Sequence, residues 1–233
     1  MTSANDGTNA EVRLVNAERL TFFSDAVVAI AMTLLALDLP VPKGDSNKAA
    51  LHFVGTHTDE YVAFLISFFV IGTHWFGHHR IFGYVTSLGG RLARWNMLWL
   101  LTIVLTPFAT RTLTGDGAFE FRFVVYASVQ ALAGVFFLLM IHTMDRYRLL
   151  RADAPPLAIR ASYARLWAVT GAFLVSIPIA FGTHWAYLCW VLIPFVSRGL
   201  IWLMDRWSAR RDRRPAPRPS DVELAGDRGG GDE

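Results

Sequence analysis

Six long apolar stretches alternate with short polar segments along the chain, and each apolar stretch is close to membrane-spanning length. At 1.5 Å per residue, about 20 helical residues cross the hydrocarbon core of a bilayer. We therefore predict an all-α membrane protein with six transmembrane helices per subunit within residues 19–205. The predicted helices are Arg19–Leu39, Tyr61–His79, Leu92–Leu113, Phe121–Met144, Ser162–Phe181 and Trp185–Met204.

The polar ends and loops indicate how the chain is oriented. Residues 1–18 predict a short N-terminal tail, and residues 206–233, rich in Arg, Pro and Gly, predict a disordered basic C-terminal tail. Six spans place both tails on one side of the membrane, together with most of the arginines. The opposite side carries few basic residues and several acids. The positive-inside rule then predicts a multi-pass protein of the cell membrane with both termini in the cytoplasm.

Composition and missing motifs exclude several classes of function. The chain is 53% hydrophobic and has one cysteine, which excludes an internal disulfide and a cysteine-based zinc site. It has no P-loop, GxSxG, HExxH or Rossmann fingerprint, and we expect neither an enzyme nor a bound cofactor. The formal net charge of +3 comes from arginines at helix ends and in the C-terminal tail. That placement favours anionic lipid headgroups over nucleic acid as partners of the tail.

The first predicted helix combines an acid with an apolar stripe. Asp25, beside Ser24, lies about a turn inside a helix of membrane length. An acid there costs up to about 2.5–3.5 kcal/mol unless it is paired or hydrated, so we expect a partner such as a buried histidine of the second helix. The apolar residues recur at spacings of three and four, which places them on one face. Pore lining, helix packing and lipid contact all fit this pattern. The stripe consists of Phe23, Val27, Ile30, Leu34 and Leu37.

Histidines near the end of the second predicted helix leave further alternatives open. His74 and His78 are one turn apart and have the spacing to hold one metal ion or a haem iron. The other interpretation is that they are interfacial histidines bonded to backbone or to an acid. The alternatives to a channel are therefore a His/Asp proton-linked transporter and a haem- or metal-binding membrane protein. A membrane-anchored interaction protein that acts through its arginine-rich tail is a third possibility.

Three segments of the chain resemble one known family. Arg19–Asp25 reads Arg-x-x-x-Phe-Ser-Asp and is similar to the signature of the transmembrane protein 175 family, the lysosomal potassium channel family. Trp75–Phe82 resembles the end of that family's second helix, and Asn96–Thr110 resembles its third helix. The resemblance covers about residues 16–115 and identifies the chain as a prokaryotic single-repeat member.

The resemblance implies a homotetramer in which the first helix of each six-helix subunit lines one central pore. The implied function is a potassium-permeable cation channel with a hydrophobic constriction and without a TVGYG filter or a structural metal. Carried over by position, the pore constriction consists of Ile30, Leu34 and Leu37. Thr33 is the candidate selectivity hydroxyl, and the permeant potassium ion passes near Ile30, Thr33 and Leu34. The implied polar network between helices consists of Arg19, Phe23, Ser24, Asp25, Trp75, His78 and His79, with the choice of histidine partner left open.

The implied constriction suggests a simple mechanism. A ring of four Ile30 side chains supplies no oxygen ligands, so an ion must shed water or the ring must widen and become wet. Potassium holds its water less tightly than sodium and should pass more easily, with modest discrimination, while a closed ring gates by dewetting. Asp38 and Asp45, near the outer end of the first helix, are expected to concentrate cations at the pore mouth.

Overall fold

The computed structural model describes residues 2–193, 195, 196, 198, 199, 202, 203 and 206. This part of the chain is all-helical and contains no β-strand, only an isolated antiparallel bridge between two loops. The α-helices are α1 (Thr2–Leu37), α2 (Asn47–Thr56), α3 (Thr58–Phe82), α4 (Gly90–Thr114), α5 (Phe119–Arg146), α6 (Pro156–Ala180) and α7 (Leu188–Val191). A short 3-10 helix, His184–Tyr187, precedes α7.

Five of these helices are long and apolar enough to cross a membrane. They are α3, α4 and α5 over their full length, Val15–Leu37 within α1, and Ile159–Ala180 within α6. The all-helical prediction is therefore confirmed, and five of the six predicted spans have matching helices. The predicted sixth helix, Trp185–Met204, starts in the region of the 3-10 helix and α7 and includes residues outside the described set, so it stays a prediction. The predicted disordered tail, residues 206–233, also lies outside the described residues except for Arg206.

Two boundaries differ from the sequence-based predictions. The helix α1 begins at Thr2, not at Arg19, so the segment predicted as a separate tail is helical. Residues 2–18 contain no proline and include good helix formers such as Glu11 and Glu18, which extend the helix beyond its apolar part. Residues 47–56, which lie between the first two predicted helices, form the additional helix α2. Ser46 caps it, since its hydroxyl accepts from the Ala49 N–H at 3.2 Å.

Buried apolar side chains form two clusters. One joins α1, α3, α4 and α5, with Leu166 of α6, around Trp99 and Phe137. The other joins α3, α4, α5, α6 and α7 around Phe123, Tyr126 and Trp190. The most extensive packing is between α5 and its neighbours α4 and α6, while α1 rests on α3 and α4. The helix α1 therefore lies on the outside of its own subunit, with one face available to other molecules.

Two loops meet at one end of the bundle, which we call the inner end. Val85, after α3, pairs with Leu150, after α5, in the antiparallel bridge. The Thr86 N–H donates to the Leu149 carbonyl at 2.8 Å. These bonds fix the end of α3 relative to the connection that leads into α6. The end of α3 carries the side chains that hold α1, so the loops also position the candidate site.

Candidate pore helix and its polar attachment

The membrane-length part of α1 has two faces with different surroundings. Ser24, Val28 and Leu35 are buried against α3 and α4 and recur at helical spacing. The opposite apolar face is uncovered in the subunit. Its exposed fractions are 58% for Ile30, 40% for Leu34 and 79% for Leu37. An apolar helix face of this extent must meet lipid or another protein chain. All three residues predicted to form the constriction lie on this uncovered face.

Asp25 is held by two side chains of α3. Its Oδ1 accepts a hydrogen bond from the Trp75 indole Nε1–H at 2.9 Å. Its Oδ2 lies 3.4 Å from Nδ1 of His79. The expected partner was a buried histidine, but the side chain of His79 is 60% exposed. The carboxylate therefore sits at the edge of the bundle, where an indole N–H and a solvent-facing imidazole offset the cost of placing an acid in this helix.

Ser24 begins a second, fully buried connection from α1. Its hydroxyl donates to the Leu20 carbonyl at 2.8 Å and accepts from the Asn96 Nδ2–H of α4 at 2.9 Å. The other atom of that amide, Asn96 Oδ1, lies 2.8 Å from His78 Nε2 of α3. Since the amide nitrogen is used by Ser24, His78 donates through Nε2. The two successive hydrogen bonds from Ser24 to Asn96 and from Asn96 to His78 thus link three helices through polar atoms shielded from solvent.

Asn96 is a residue of the site that the sequence patterns did not predict. The sequence signal that points to it is a carboxamide within an apolar, membrane-length helix, where an unpaired polar group is costly. Of the two histidines left open, His79 approaches Asp25 and His78 bonds Asn96. The predicted polar network therefore consists of two separate attachments, which start from the adjacent residues Ser24 and Asp25 of α1.

Aromatic rings hold the inner histidines in place. The His78 ring stacks between Trp99, at 4.5 Å and 4°, and Phe82, at 3.9 Å and 19°. The Trp99 indole N–H donates to His74 Nδ1 at 3.3 Å. The two histidines predicted to share a metal thus have separate partners. Within the described part of the chain no group of three or more His, Cys, Asp or Glu side chains has a metal-binding arrangement.

Arg19 and Phe23 lie outside both attachments in the isolated subunit. Both side chains are exposed. Among the residues that the structure describes, Arg19 has no hydrogen bond or ion pair. Their predicted place in the polar network therefore depends on contacts beyond a single subunit, and it stays a prediction.

Two further polar residues lie toward the C-terminal end of α1, Thr33 within the helix and Asp38 directly after it. The Thr33 hydroxyl donates to the Ile30 carbonyl at 2.8 Å, so its oxygen keeps lone pairs available as acceptors. Asp38 Oδ1 lies 3.3 Å from Arg111 Nη1 of α4. Asp38 was expected to help concentrate cations at the pore mouth, and this ion pair offsets its charge. Asp45, the other expected acid, is exposed.

Comparison with known proteins settles the family. A family model described as "Endosomal/lysosomal potassium channel TMEM175" matches residues 19–107, which contain both attachments. A potassium channel of Streptomyces collinus is 36% identical over an alignment of 180 residues, which covers 71% of this chain and 86% of that protein. The chain belongs to the TMEM175 family. A potassium channel of Chamaesiphon minutus is 33% identical to this TMEM175 chain over an alignment of 188 residues, which covers 77% of this chain and 92% of that protein.

The TMEM175 fold is shared with a solved structure as well. The crystal structure of a lysosomal potassium-selective channel TMEM175 homolog from Chamaesiphon minutus aligns with a TM-score of 0.64 and 26% identity. The alignment covers 80% of this chain and 98% of that chain. The family resemblance predicted from the motifs is thereby confirmed. These relatives are ion channels and not enzymes, which also confirms the prediction that this TMEM175 chain is not an enzyme.

Proposed function

We propose that this TMEM175 chain forms a potassium-permeable cation channel in the cell membrane, with α1 of each subunit lining a shared central pore. The observation that carries the proposal is the uncovered apolar face of α1 that contains Ile30, Leu34 and Leu37. The relatives named as potassium channels support the choice of ion. One helix per subunit cannot enclose a pore, so the channel requires several copies of the chain. The family resemblance favours a homotetramer.

The proposed constriction consists of successive rings of Ile30, Leu34 and Leu37. These side chains offer no ligands to an ion, so a closed ring blocks ions by excluding water. When the ring widens, potassium enters more readily than sodium because it gives up its water more easily. The exposed Thr33 hydroxyl, whose proton is used by its own helix, offers only its oxygen lone pairs to a passing cation.

The two polar attachments are proposed to set the rotation of α1 about its axis. Ser24 and Asp25 are adjacent, so their side chains leave the helix about 100° apart. Ser24 bonds Asn96 of α4 and Asp25 bonds Trp75 of α3. Two bonds in different directions resist rotation better than one. The attachments thus keep the face that carries Ile30 turned away from the subunit and toward the proposed pore.

Several parts of the proposal concern regions beyond one described subunit. Both termini are proposed to be cytoplasmic, which makes the inner end of the bundle the cytoplasmic end. Arg19 and Phe23 are proposed to extend the polar network across a subunit boundary. The arginine-rich tail is proposed to contact anionic lipid headgroups.

One preparation tests the proposed function. The purified protein is examined for subunit count by native mass spectrometry and then reconstituted into vesicles for ion-flux measurement. We expect four subunits and a potassium flux greater than the sodium flux. A monomer that carries ions, or an oligomer that carries neither cation under any driving force, contradicts the proposal.

A further inference from the structure

A cavity of about 310 Å³ lies between α3, α5 and α6, and none of its lining residues belongs to α1. Its volume is at the lower end of the range for ligand-binding cavities, about 300–1,000 Å³. The cavity therefore has room for part of a larger amphiphile. Its inner part is bordered by Arg80, Ser162 and Arg165, and its deeper part by His74, Phe137 and Val169.

Two arginines give the inner part of the cavity its charge. Arg80 lies in the last turn of α3, and Arg165 lies in the third turn of α6. Both are exposed, and no ion pair or hydrogen bond engages either of them among the described residues. No lining residue is acidic. Two guanidinium groups that share one cavity without a counter-charge favour an anion, and phosphate oxygens match their fork of donors.

A buried histidine donor lies deeper in the same cavity. His74 is 2% exposed, and its Nδ1 accepts from the Trp99 indole N–H. The neutral ring therefore carries its proton on Nε2. That Nε2 is buried and has no hydrogen-bond partner in the part of the chain that the structure describes. A buried donor without an acceptor is destabilising, so this position favours a ligand oxygen.

The arginine donors and the His74 donor lie at two different depths in the cavity. This difference in depth distinguishes a phospholipid from a free phosphate ion as the ligand. Arg80 and His74 are six residues apart on α3, about 9 Å along the helix axis. A free phosphate ion has acceptors at a single depth. A phospholipid has acceptors at two depths, first the phosphate and then the ester carbonyls, followed by acyl chains. Phe76 at the cavity is 64% exposed and provides apolar surface beside the entrance.

We propose that this cavity binds the headgroup and ester region of one anionic phospholipid per subunit. The phosphate lies between Arg80 and Arg165, and an ester carbonyl accepts from His74 Nε2–H. An acyl chain runs along Phe76, Phe137 and Leu166. The site requires only that both arginines lie at one membrane interface, so it does not depend on where ions pass. It is also separate from the arginine-rich tail.

Lipid titration of the intact, full-length protein tests the site. The oligomer in detergent is titrated with dioleoylphosphatidylglycerol or dioleoylphosphatidylcholine and observed by native mass spectrometry. We expect one phosphatidylglycerol per subunit, bound about tenfold or more tightly than phosphatidylcholine. The double variant Arg80→Gln/Arg165→Gln should lose that preference, since each arginine adds to the attraction for an anionic lipid. The control Arg146→Gln removes an exposed arginine at the end of α5, outside the cavity, and should bind like the wild type.

A second variant keeps the proposal falsifiable. Val169→Trp fills the cavity without changing its charge, and it should exclude phosphatidylglycerol while the subunit count stays the same. Unchanged phosphatidylglycerol binding in the double arginine variant overturns the proposal. So does inorganic phosphate that competes as well as the lipid, which would make the ligand a free anion. A changed subunit count with unchanged lipid binding also overturns it, because the cavity face would then be a subunit contact.

Discussion

The Trp75 indole donates its N–H to the Asp25 carboxylate over 2.9 Å, and this bond ties the candidate pore helix to α3 of its own subunit. The carboxylate also lies 3.4 Å from His79, so one acid connects two side chains a turn apart on α3. Asp25 therefore links α1 to α3 beside the uncovered face of α1.

Replacing Asp25 should mainly harm assembly and stability. Asp25→Ala strands the partly buried Trp75 N–H, and the expected loss is about 1–3 kcal/mol in the free energy of unfolding. Asp25→Asn keeps one oxygen acceptor and should lose less. The control Asp38→Asn breaks an exposed ion pair and should change stability by less than about 1 kcal/mol. Thermal unfolding in detergent measures all three. An Asp25→Ala protein of normal stability with altered ion selectivity would show instead that the acid lines the pore.

The buried hydrogen bonds of Asn96 allow a second prediction. Asn96→Leu leaves both Ser24 and His78 without their shared partner and should destabilise the protein by about 2–3 kcal/mol. Adding Ser24→Ala should cost little more, because the hydroxyl has already lost its donor. A double-mutant cycle on unfolding temperature checks this coupling. Met97→Leu, at the exposed neighbouring position, is the control. Additive losses from the two substitutions would refute the link.

A close approach of α5 and α6 allows a third prediction. A Cβ atom at Gly134 would clash with the Thr170 hydroxyl and lie 3.0 Å from the Thr170 Cβ. Gly134→Ala should therefore destabilise the protein by about 1–3 kcal/mol. Adding Thr170→Gly to the Gly134→Ala protein should recover part of the lost stability. Gly171→Ala is a matched control on α6, because nothing lies within 4 Å of its added Cβ. A Gly134→Ala protein as stable as the control would mean that the helices are not this close.

The ion pair at the outer end of α1 makes a prediction about salt. Arg111→Gln frees the Asp38 carboxylate and should raise potassium flux modestly at low ionic strength, by up to about twofold. The rise should vanish in about 1 M of an impermeant salt, where charges are screened over about 3 Å. Vesicle flux at several concentrations of N-methyl-D-glucamine chloride measures this. The same rise in Asp38→Asn/Arg111→Gln would exclude the carboxylate as its cause.

The sequence predicted the spans well because apolar length is a local property. The helices α3, α4 and α5 contain their whole predicted ranges, and α6 contains its predicted range except for the last residue, Phe181. That Ile30, Leu34 and Leu37 share one face of α1 was also predictable from their spacing, but that the subunit leaves this face uncovered was not. The helical start at Thr2 was not predicted, because residues 2–18 are polar and their composition alone reads as a tail.

The partners within the site could not be assigned from the sequence. The cost of burying Asp25 predicted that a partner exists, but two histidines were one residue apart, and only the rotation of α3 selects His79. The bond between Ser24 and Asn96 joins residues 72 positions apart, so it depends on how α1 packs on α4. Phe82 lies one turn from His78 on α3, so their stacking follows from helical spacing, whereas the stacking of Trp99 of α4 on His78 depends on how the two helices pack.

The central claim is that the uncovered face of α1 lines the pore, and potassium and sodium flux through reconstituted Ile30→Asn tests it most directly. The control is Leu174→Asn, an exposed leucine on α6, a helix that packs mainly on α5. We predict that Ile30→Asn raises the flux of both ions and lowers the potassium-to-sodium ratio, because a polar ring stays wet. Leu174→Asn should match the wild type. Unchanged flux and ratio in Ile30→Asn, with altered flux in Leu174→Asn, would contradict the claim.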